Sequence, residues 1–429
     1  MKYIQLILLF VTFSIAISCN KKNTDSVTNV NDYNTYLNTN NNVALHLAKS
    51  DYDFWKKKLE ATPNQYPYFA KIASANSTIF QLTGNIEQLK EAEHNLLLAN
   101  KKTKFNNAAY LRSLARNYIS QHRFKEALEL LTKAEYLGED LELTHYMLID
   151  VNLELGNLNK VENYLSKVKN FKNFDYLIRL SKYSDHIGNL NNAIKYLEAS
   201  LEIAKSSKNN YLIQWNFTNL ADYYGHAGRI KDSYNAYLKA LELNPTNSYA
   251  KKGIAWIVYS YERNPKEALR ILETVTSENA SPDYHLLKAE IAEFMGDTLE
   301  KDYQTKKYLN KVTNEKYGGM YAKYNVLLLA DNESSKALEI AKKEVLERPT
   351  AQSYDLLAWA YFKNGNATKA LEISEKYVIN HTFEPEALLH TAYILKANGK
   401  INRANSIKKE LLGAIYELGP LTEKEIRNI

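Results

Sequence analysis

Few residue combinations in this 429-residue chain could carry out catalysis. The sequence contains no Gly-rich phosphate-binding loop, no G-x-S-x-G and no H-E-x-x-H motif. Its nine histidines are scattered, and none lies at metal-ligand spacing from another. His226 and His390 fall beside or within helical segments, where a structural or surface role is expected. The sequence therefore predicts a protein that is not an enzyme and that uses no metal and no cofactor.

Cys19 is the one residue whose position points to a chemical modification. It is the only cysteine in the chain and follows a largely apolar run at residues 4–17, which is too short to span a bilayer comfortably. The residues before it resemble the lipobox of bacterial lipoproteins, although Ala16 replaces the larger aliphatic residue usual there. The resemblance implies a signal peptide at residues 1–18 and lipidation of Cys19, which would anchor the mature chain in a membrane. A plain signal peptide with a chance cysteine, or a buried anchor helix, stays open as an alternative.

The residues after Cys19 bear on the membrane that would hold it. In proteins that resemble enterobacterial lipoproteins, an aspartate at the next position favours the inner membrane, and this chain has Asn20 there. Lys21, Lys22 and Asn23 lack the acidic run that resembles the surface-export signal of Bacteroidota lipoproteins. The resemblance therefore implies the outer membrane, with the periplasmic side favoured over the cell surface.

The segment that follows is rich in Asn and Thr. Residues 19–42 contain few large apolar side chains, so they predict a flexible tether that cannot bury enough surface to order itself. The tripeptides D-S-V at residues 25–27 and D-T-L at residues 297–299 resemble the O-glycosylation motif of Bacteroidota proteins. Ser26 and Thr298 are therefore candidate O-glycosylation sites.

The rest of the chain has the period of a helical repeat. Only eight prolines occur, and alternating Val/Ile/Thr runs are missing, which predicts an all-α chain. Turn residues recur with a mean spacing of about 35 residues. They are Gly84, His122, Gly156, Gly188, Gly228, Asn264, Gly296, Asn332, Gly365 and Gly399.

Residues 351–377 carry the clearest pattern. One face of their first helix holds Tyr354, Leu357, Ala358 and Tyr361. Gly365 ends that helix, and Ala370 lies near the start of the second. This arrangement resembles the tetratricopeptide repeat, whose pattern is W-x₂-L-G-x₂-Y…A-x₃-F, with Ser374 in place of the phenylalanine.

The resemblance implies a right-handed α-solenoid of about ten helix pairs. The pairs would occupy residues 66–418. Lead-in helices are expected before them at residues 43–65. A C-terminal cap or tail is expected at residues 419–429, because a terminal repeat needs a soluble outer face.

A binding groove follows from the same resemblance. In tetratricopeptide proteins the second, fifth, ninth and twelfth residues of a unit face the concave side. This rule assigns to the groove the residues Trp215, Asp222, Tyr249, Lys252, Trp256, Tyr259, Asp355, Trp359, Phe362 and Tyr393. Aromatic side chains are frequent binding anchors. Core packing between adjacent first helices is the alternative explanation for Trp256 and Trp359.

These features predict a membrane-anchored scaffold that binds a protein or peptide partner in its concave groove. The formal net charge of +6 is spread over segments of mixed sign, which predicts no nucleic-acid partner. A glycan- or nutrient-binding envelope lipoprotein is the alternative, since sugar rings can stack on Trp and Tyr in such a groove.

Overall fold

The computed structural model describes residues 26–39 and 42–429, and every regular element within them is helical. The all-α prediction is confirmed. No helix in these two ranges combines the length and apolar character needed to cross a membrane. The predicted signal peptide at residues 1–18 and the predicted lipid attachment at Cys19 lie outside the described residues.

Ten helix pairs follow one another along most of the chain, so the predicted solenoid of about ten pairs is confirmed. In order, the pairs are Pro67–Thr83 and Ile86–Lys102, Ala108–Ser120 and Phe124–Leu137, Leu141–Glu154 and Leu158–Lys167, Phe174–His186 and Leu190–Ser206, Asn210–His226 and Ile230–Leu243, Ser248–Trp256 and Pro265–Glu278, Asp283–Met295 and Thr298–Val312, Ala322–Leu329 and Ser334–Glu347, Ala351–Lys363 and Ala367–Tyr377, and Pro385–Ala397 and Ile401–Leu411. Each predicted turn residue falls between the two helices of one pair.

The other helices flank or interrupt this series. They are Val30–Leu37, Val43–Ala61, the π-helical turn Ile257–Tyr261, the 3₁₀ turn Glu315–Tyr317, Ile415–Leu418 and Pro420–Arg427.

Asparagine side chains start many of these helices. Asn107, Asn247 and Asn366 each accept a hydrogen bond from the backbone N–H three residues further on, at 2.8–3.0 Å. Such a cap satisfies one of the four N–H groups that an α-helix leaves unpaired at its start. Many of the asparagines in the sequence therefore lie immediately before the start of a helix, as N-caps.

Small side chains lie where the two helices of a pair come closest. Ala115, Ala127, Ala221, Ala358 and Ala370 are all completely buried. Larger side chains fill the space around them, and Ala358 packs in one cluster with buried Ala370 and partly buried aromatic residues. Because the alanine side chains at these positions are small, the two helix backbones can approach each other closely.

We expect the substitution Ala358→Leu to lower the free energy of unfolding by about 1–3 kcal/mol, because the added atoms overpack a closed interface. Chemical denaturation would measure the change. Ala109→Leu is the matched control, since Ala109 is exposed on the helix Ala108–Ser120. Equal losses in the two variants would show that the pair interface is not tightly packed.

Successive turns of the solenoid contact each other. Arg348 Nη2 lies 2.7 Å from Glu154 Oε2, although 194 residues separate them. The Lys125 ammonium donates to the carbonyl of Leu346 across 221 residues. Ala280 N–H likewise donates to the carbonyl of Thr83 at 2.7 Å. Arg348 and Glu154 line a cavity between the two turns of the solenoid, the channel.

Gly188 shows how closely the turns approach. Its φ is +76°, a value that glycine adopts without strain. A β-carbon built on Gly188 would lie 2.5 Å from the ring of Phe383, which comes from the opposite turn. A side chain at this position would therefore push the two turns apart.

Residues 26–39 do not form part of a flexible tether, so the predicted tether at 19–42 is wrong for this stretch. The helix Val30–Leu37 packs against the helix Ile230–Leu243 of the solenoid. Tyr33 is 1% exposed, and its hydroxyl donates to Glu267 at 2.8 Å. Leu37 is buried in the same cluster.

The residues before that helix are also fixed to the solenoid. The backbone N–H groups of Val27 and Thr28 both donate to Glu262 Oε1 at 2.7 Å. The Tyr234 hydroxyl donates to the carbonyl of Asn29 at 3.1 Å. The high Asn and Thr content does not predict this docking. Two buried side chains and a few backbone hydrogen bonds are enough to hold the segment, and they change its average composition little. Residues 19–25 lie outside the described residues.

Candidate functional site

The channel is a cavity of about 1200 Å³ between two turns of the solenoid. The first helices of four successive pairs form one wall, namely Ala108–Ser120, Leu141–Glu154, Phe174–His186 and Asn210–His226. Residues 344–356 and 382–387 form much of the opposite wall. Side chains that are distant in sequence therefore face one another across the channel.

The channel wall carries more negative than positive groups. Ten carboxylates line it against five Lys or Arg side chains. The carboxylates are Asp150, Glu154, Asp175, Asp185, Glu344, Asp355, Glu384, Glu386, Glu410 and Glu417; the cations are Arg116, Arg179, Lys182, Lys323 and Arg348. The whole chain has a formal net charge of +6, so the channel differs in sign from the rest of the protein.

Most of these carboxylates are paired. Arg179 contacts Asp150 at 2.9 Å and Asp175 at 3.0 Å, and Lys323 contacts Glu386 at 2.7 Å. Such pairs fix the side chains of the wall in place.

Three carboxylates form no ion pair within residues 26–39 and 42–429. They are Asp185, Glu384 and Glu410. Desolvation raises the pKa of Asp185 to about 6; the charge of His226 opposes the rise, and the neighbouring carboxylates of Glu384 and Glu417 contribute to it. The Asp185 carboxyl is still mostly ionised at neutral pH. All three side chains are open to solvent, which screens their charges.

Asp355 and His390 form a buried pair in the channel wall. His390 Nδ1 lies 2.8 Å from Asp355 Oδ2, and the two side chains are only 6% and 5% exposed. The imidazole also stacks on the Trp359 ring, with 4.2 Å between ring centroids. Asp355 Oδ1 has no hydrogen-bond partner among the described residues. This carboxylate oxygen is therefore buried but unsatisfied.

The comparisons with known proteins bear on the repeat architecture. The tetratricopeptide repeat family matches residues 174–207 and 216–247. The chain contains tetratricopeptide repeats. No curated protein sequence matches it significantly.

Solved structures with a similar fold include the human IFIT1 dimer with m7Gppp-AAAA. It has a TM-score of 0.47 and 15% identity over 76% of this chain and 75% of that chain. A tetratricopeptide repeat protein from Parabacteroides merdae has a TM-score of 0.34 and 18% identity, over 59% of this chain and 96% of that chain. At these identities the likenesses concern the fold alone.

The tetratricopeptide repeat that begins at Phe174 supplies much of the channel wall. Its second, fifth, ninth and twelfth residues are Asp175, Ile178, Lys182 and Asp185, and all four line the channel. The predicted groove residues come from other repeats and do not include these four. The same rule, started at Phe174, would have found them.

Two of the predicted groove residues, Trp215 and Asp355, line the channel. Trp215 is half-buried and packs edge-on against Phe174, with 6.0 Å between ring centroids. It therefore presents part of its indole to the channel.

Tyr259 is completely buried, so its prediction as a groove residue is wrong. The helix Ser248–Trp256 runs into the π-helical turn Ile257–Tyr261. A π-helical turn accommodates one extra residue and rotates the side chains that follow it. Tyr259 consequently packs against Phe294 in the core, with 5.5 Å between ring centroids.

Three other predicted groove residues, Asp222, Tyr249 and Lys252, contact one another in one cluster. Asp222 accepts hydrogen bonds from Tyr249 at 2.7 Å and from Tyr237. The Lys252 ammonium lies 4.9 Å from the centre of the Tyr249 ring. The cluster does not line the channel described above.

Trp359, Phe362 and Tyr393 form a second aromatic cluster. The centroid distances from Trp359 are 5.4 Å to Phe362 and 6.0 Å to Tyr393. All three are half-buried, and none of them lines the channel. The packing of Trp359 on His390 favours the core-packing alternative for this tryptophan.

A C-terminal segment, residues 414–429, covers Trp256. The carbonyl of Tyr416 accepts hydrogen bonds from Trp256 Nε1 at 3.1 Å and from Ser260 at 2.7 Å. Glu423 contacts Arg263 at 3.0 Å. The same segment also packs on the last repeat through Ile426, which is completely buried. Trp256 is therefore covered by a distant segment of the same chain, a contact that the repeat pattern does not predict.

His226 ties the C-terminal segment to the channel. Its Nδ1 lies 2.6 Å from Glu417 Oε2. Burial alone would lower the pKa of His226, but the hydrogen bond to Glu417 and the charges of Asp185 and Asp222 outweigh it and raise the pKa to about 9. The imidazole is therefore protonated at neutral pH.

This ion pair predicts a pH dependence of stability. The pKa of His226 is above its ordinary value of 6.5, so its contribution is complete below about pH 6.5 and is lost as the pH rises through about 9. We expect a loss of roughly 1 kcal/mol, because solvent screens a pair whose imidazole is 46% exposed. Chemical denaturation across this range would measure it. His226→Gln should remove the slope, and an unchanged slope in that variant would assign the effect to other groups.

Both candidate O-glycosylation sites, Thr298 and Ser26, lie on the surface of the protein. Thr298 is exposed at the start of the helix Thr298–Val312, and Asp297 caps that helix by accepting from Glu300 N–H at 3.0 Å. Ser26 is exposed and donates to the carbonyl of Thr28 at 2.9 Å. O-glycosylation of Ser26 and Thr298 stays a prediction.

Proposed function

We propose that this protein is a non-enzymatic scaffold that binds a protein or peptide partner in its channel. A lipid on Cys19 would hold it in the outer membrane of a Bacteroidota-type bacterium, on the periplasmic side. The observation that carries the proposal is the channel itself, where the groove positions of the repeat beginning at Phe174 face a second turn of the solenoid. Side chains from two turns could contact an extended segment on several sides at once.

The charge of the channel argues against nucleic acid as the partner. Phosphate groups bind through Lys and Arg side chains that neutralise them. Here carboxylates outnumber those cations by ten to five. A polyanionic ligand would be repelled from the wall.

Photo-cross-linking in native membranes tests the scaffold proposal. A photoreactive residue in place of Tyr211, which lines the channel and is 64% exposed, should capture a protein partner. The matched control replaces Tyr136, which is 89% exposed and does not line the channel. Capture at both positions would place the partner elsewhere on the surface, and capture at neither would contradict the proposal.

The membrane anchor has its own test. Cys19→Ala should abolish the incorporation of labelled fatty acid and release the protein from the membrane fraction. Protease added to intact cells should leave the protein intact if it faces the periplasm. Rapid digestion would place it on the cell surface instead.

A glycan-binding role is the second candidate function. The aromatic side chains Phe174, Tyr211 and Trp215 in the channel wall favour it, because sugar rings stack on such surfaces. Binding of the purified protein to a glycan array, lost in Trp215→Ala, would support this role over the scaffold.

A further inference from the structure

We propose that the C-terminal segment fills a peptide-binding pocket beside the channel, and that a partner segment in which an aromatic residue precedes an acidic residue takes its place. This inference rests on the scaffold function proposed above and names the chemistry of its partner. The residues that form the pocket are Gly225, His226, Trp256 and Ser260. In this structure Tyr416 and Glu417 occupy it. Glu417 also lines the channel, as does His226, so the pocket adjoins the channel.

The pocket holds the main chain of its occupant. Trp256 Nε1 donates to the carbonyl oxygen of Tyr416 at 3.1 Å, and the Ser260 hydroxyl donates to the same oxygen at 2.7 Å. Ser260 is 2% exposed, and a buried hydroxyl requires a hydrogen-bond partner. Every peptide offers a backbone carbonyl. These two donors can therefore bind a partner segment in the same way as they bind the chain itself.

A notch at Gly225 accommodates the aromatic ring. Gly225 lies in the last turn of the helix Asn210–His226, a position where alanine is intrinsically more favourable than glycine. A β-carbon built on Gly225 would lie 2.9 Å from Cε1 of Tyr416. The missing side chain lets the ring lie directly against the helix. A partner without an aromatic ring would leave this notch empty.

The residue after the aromatic ring is held by its charge. Glu417 Oε2 lies 2.6 Å from His226 Nδ1. Glu417 is one of the ten carboxylates that line the channel. A partner that replaces it with its own carboxylate leaves the charge of the channel wall unchanged. An aromatic residue followed by glutamate or aspartate therefore satisfies the pocket without adding negative charge to the wall.

The contacts of the C-terminal segment with the pocket are open to solvent in part. Tyr416 is half-buried, and the His226 side chain is 46% exposed. The second ion pair of the segment joins Arg263 and Glu423, which are 33% and 30% exposed. Ion pairs of this kind add little to stability, so the segment can leave the pocket while the repeats stay folded. Ile426 keeps the segment attached to the last repeat, where it stays close enough to compete with a partner.

Fluorescence anisotropy with the full chain tests this inference. The probe is a labelled peptide of the sequence G-A-I-Y-E-L-G, which is that of residues 413–419. In the unmodified chain the C-terminal segment competes with the peptide at a high effective concentration. The double variant Tyr416→Ser with Glu417→Gln removes the competing ring and carboxylate, so it should bind the peptide about tenfold more tightly. Peptides with serine for the tyrosine, or glutamine for the glutamate, should bind the double variant about tenfold more weakly.

Two further variants serve as controls. Tyr136→Ser with Glu139→Gln removes the same side chains at exposed positions outside the channel, and its affinity should equal that of the unmodified chain. Gly225→Ala, added to the double variant, fills the notch at a helical position that favours alanine, so the gain in affinity should disappear while the protein stays folded. Circular dichroism would verify folding. If the double variant unfolds, Glu417→Gln alone removes only the contact with His226 and should strengthen binding by a smaller factor.

Each outcome decides for or against the pocket. Equal affinity in the unmodified chain and the folded variant would make the C-terminal segment a structural clamp and overturn the inference. A gain that survives Gly225→Ala, or equal binding of the serine peptide, would overturn it as well. A partner cross-linked at Tyr211 without any peptide binding would retain the scaffold and reject this pocket. Peptide binding without any captured protein would support the pocket and contradict the scaffold.

Discussion

Gly419→Ala is expected to loosen the C-terminal segment and lower the free energy of unfolding by about 2–3 kcal/mol. Gly419 adopts φ +79° and ψ 163°, a conformation that is essentially restricted to glycine. A β-carbon there would also lie 2.7 Å from Glu290 Oε1 and 3.1 Å from the Trp256 ring. The substitution therefore combines backbone strain with a collision at the surface that the segment covers.

Two measurements would follow the change. Chemical denaturation would give the loss in the free energy of unfolding. Acrylamide quenching of tryptophan fluorescence, measured for Gly419→Ala with and without Trp256→Phe, would give the accessibility of Trp256 by difference. The indole should become accessible, because its Nε1 would lose the carbonyl of Tyr416.

Gly138→Ala is the matched control for this experiment. Gly138 has a similar φ of +77°, but no atom lies within 4 Å of a β-carbon built there. We expect it to lose only about 1 kcal/mol, from backbone strain alone. Equal losses at the two glycines would mean that neither the ψ of 163° at Gly419 nor its contacts with Glu290 and Trp256 adds to the cost of the substitution.

The repeat architecture could be predicted from the sequence because its determinants are local. Gly365 ends one helix, Ala358 and Ala370 allow two helices to approach, and the spacing then recurs along the chain. Each of these signals lies within a single pair. The spacing of these signals therefore predicts the number of helix pairs and the positions of their turns.

The channel depends on information that no single repeat contains. Arg348 reaches Glu154 across 194 residues only because small rotations between successive pairs accumulate into a closed turn. A sequence pattern does not specify those rotations. The groove rule consequently located individual positions such as Trp215 and Asp355 without showing that they face each other across one cavity.

The docking of residues 26–39 on the solenoid and the contact of the C-terminal segment with Trp256 could not be predicted for a different reason. Residues 26–39 and 414–429 are short, and their docking rests on a few side chains such as Tyr33 and Ile426. The overall composition of residues 26–39 is polar, so an average over that segment predicts no packing, and the prediction of a C-terminal cap at residues 419–429 does not specify a contact with Trp256. The partner surfaces, among them Trp256, are formed only after the solenoid has folded.

Removal of the Asp355 carboxylate should have the largest effect of any single change in the channel wall. We expect Asp355→Ala to lower the free energy of unfolding by about 3 kcal/mol, because it leaves His390 buried without its partner. The His390 side chain is 6% exposed and already stacks on Trp359, so water cannot readily replace the lost carboxylate. Asp355→Asn keeps an acceptor for the imidazole and should cost much less.

Asp331→Ala is the control for the loss of an acidic side chain as such. Asp331 pairs with Lys363 but is 65% exposed, so its removal should change stability by no more than about 0.5 kcal/mol. Chemical denaturation of the three variants would rank them. If Asp355→Ala behaves like Asp331→Ala, then His390 finds another partner and the wall of the channel is adaptable. If it is destabilised as expected, the Asp355 carboxylate stabilises the fold through the contact of its Oδ2 with His390.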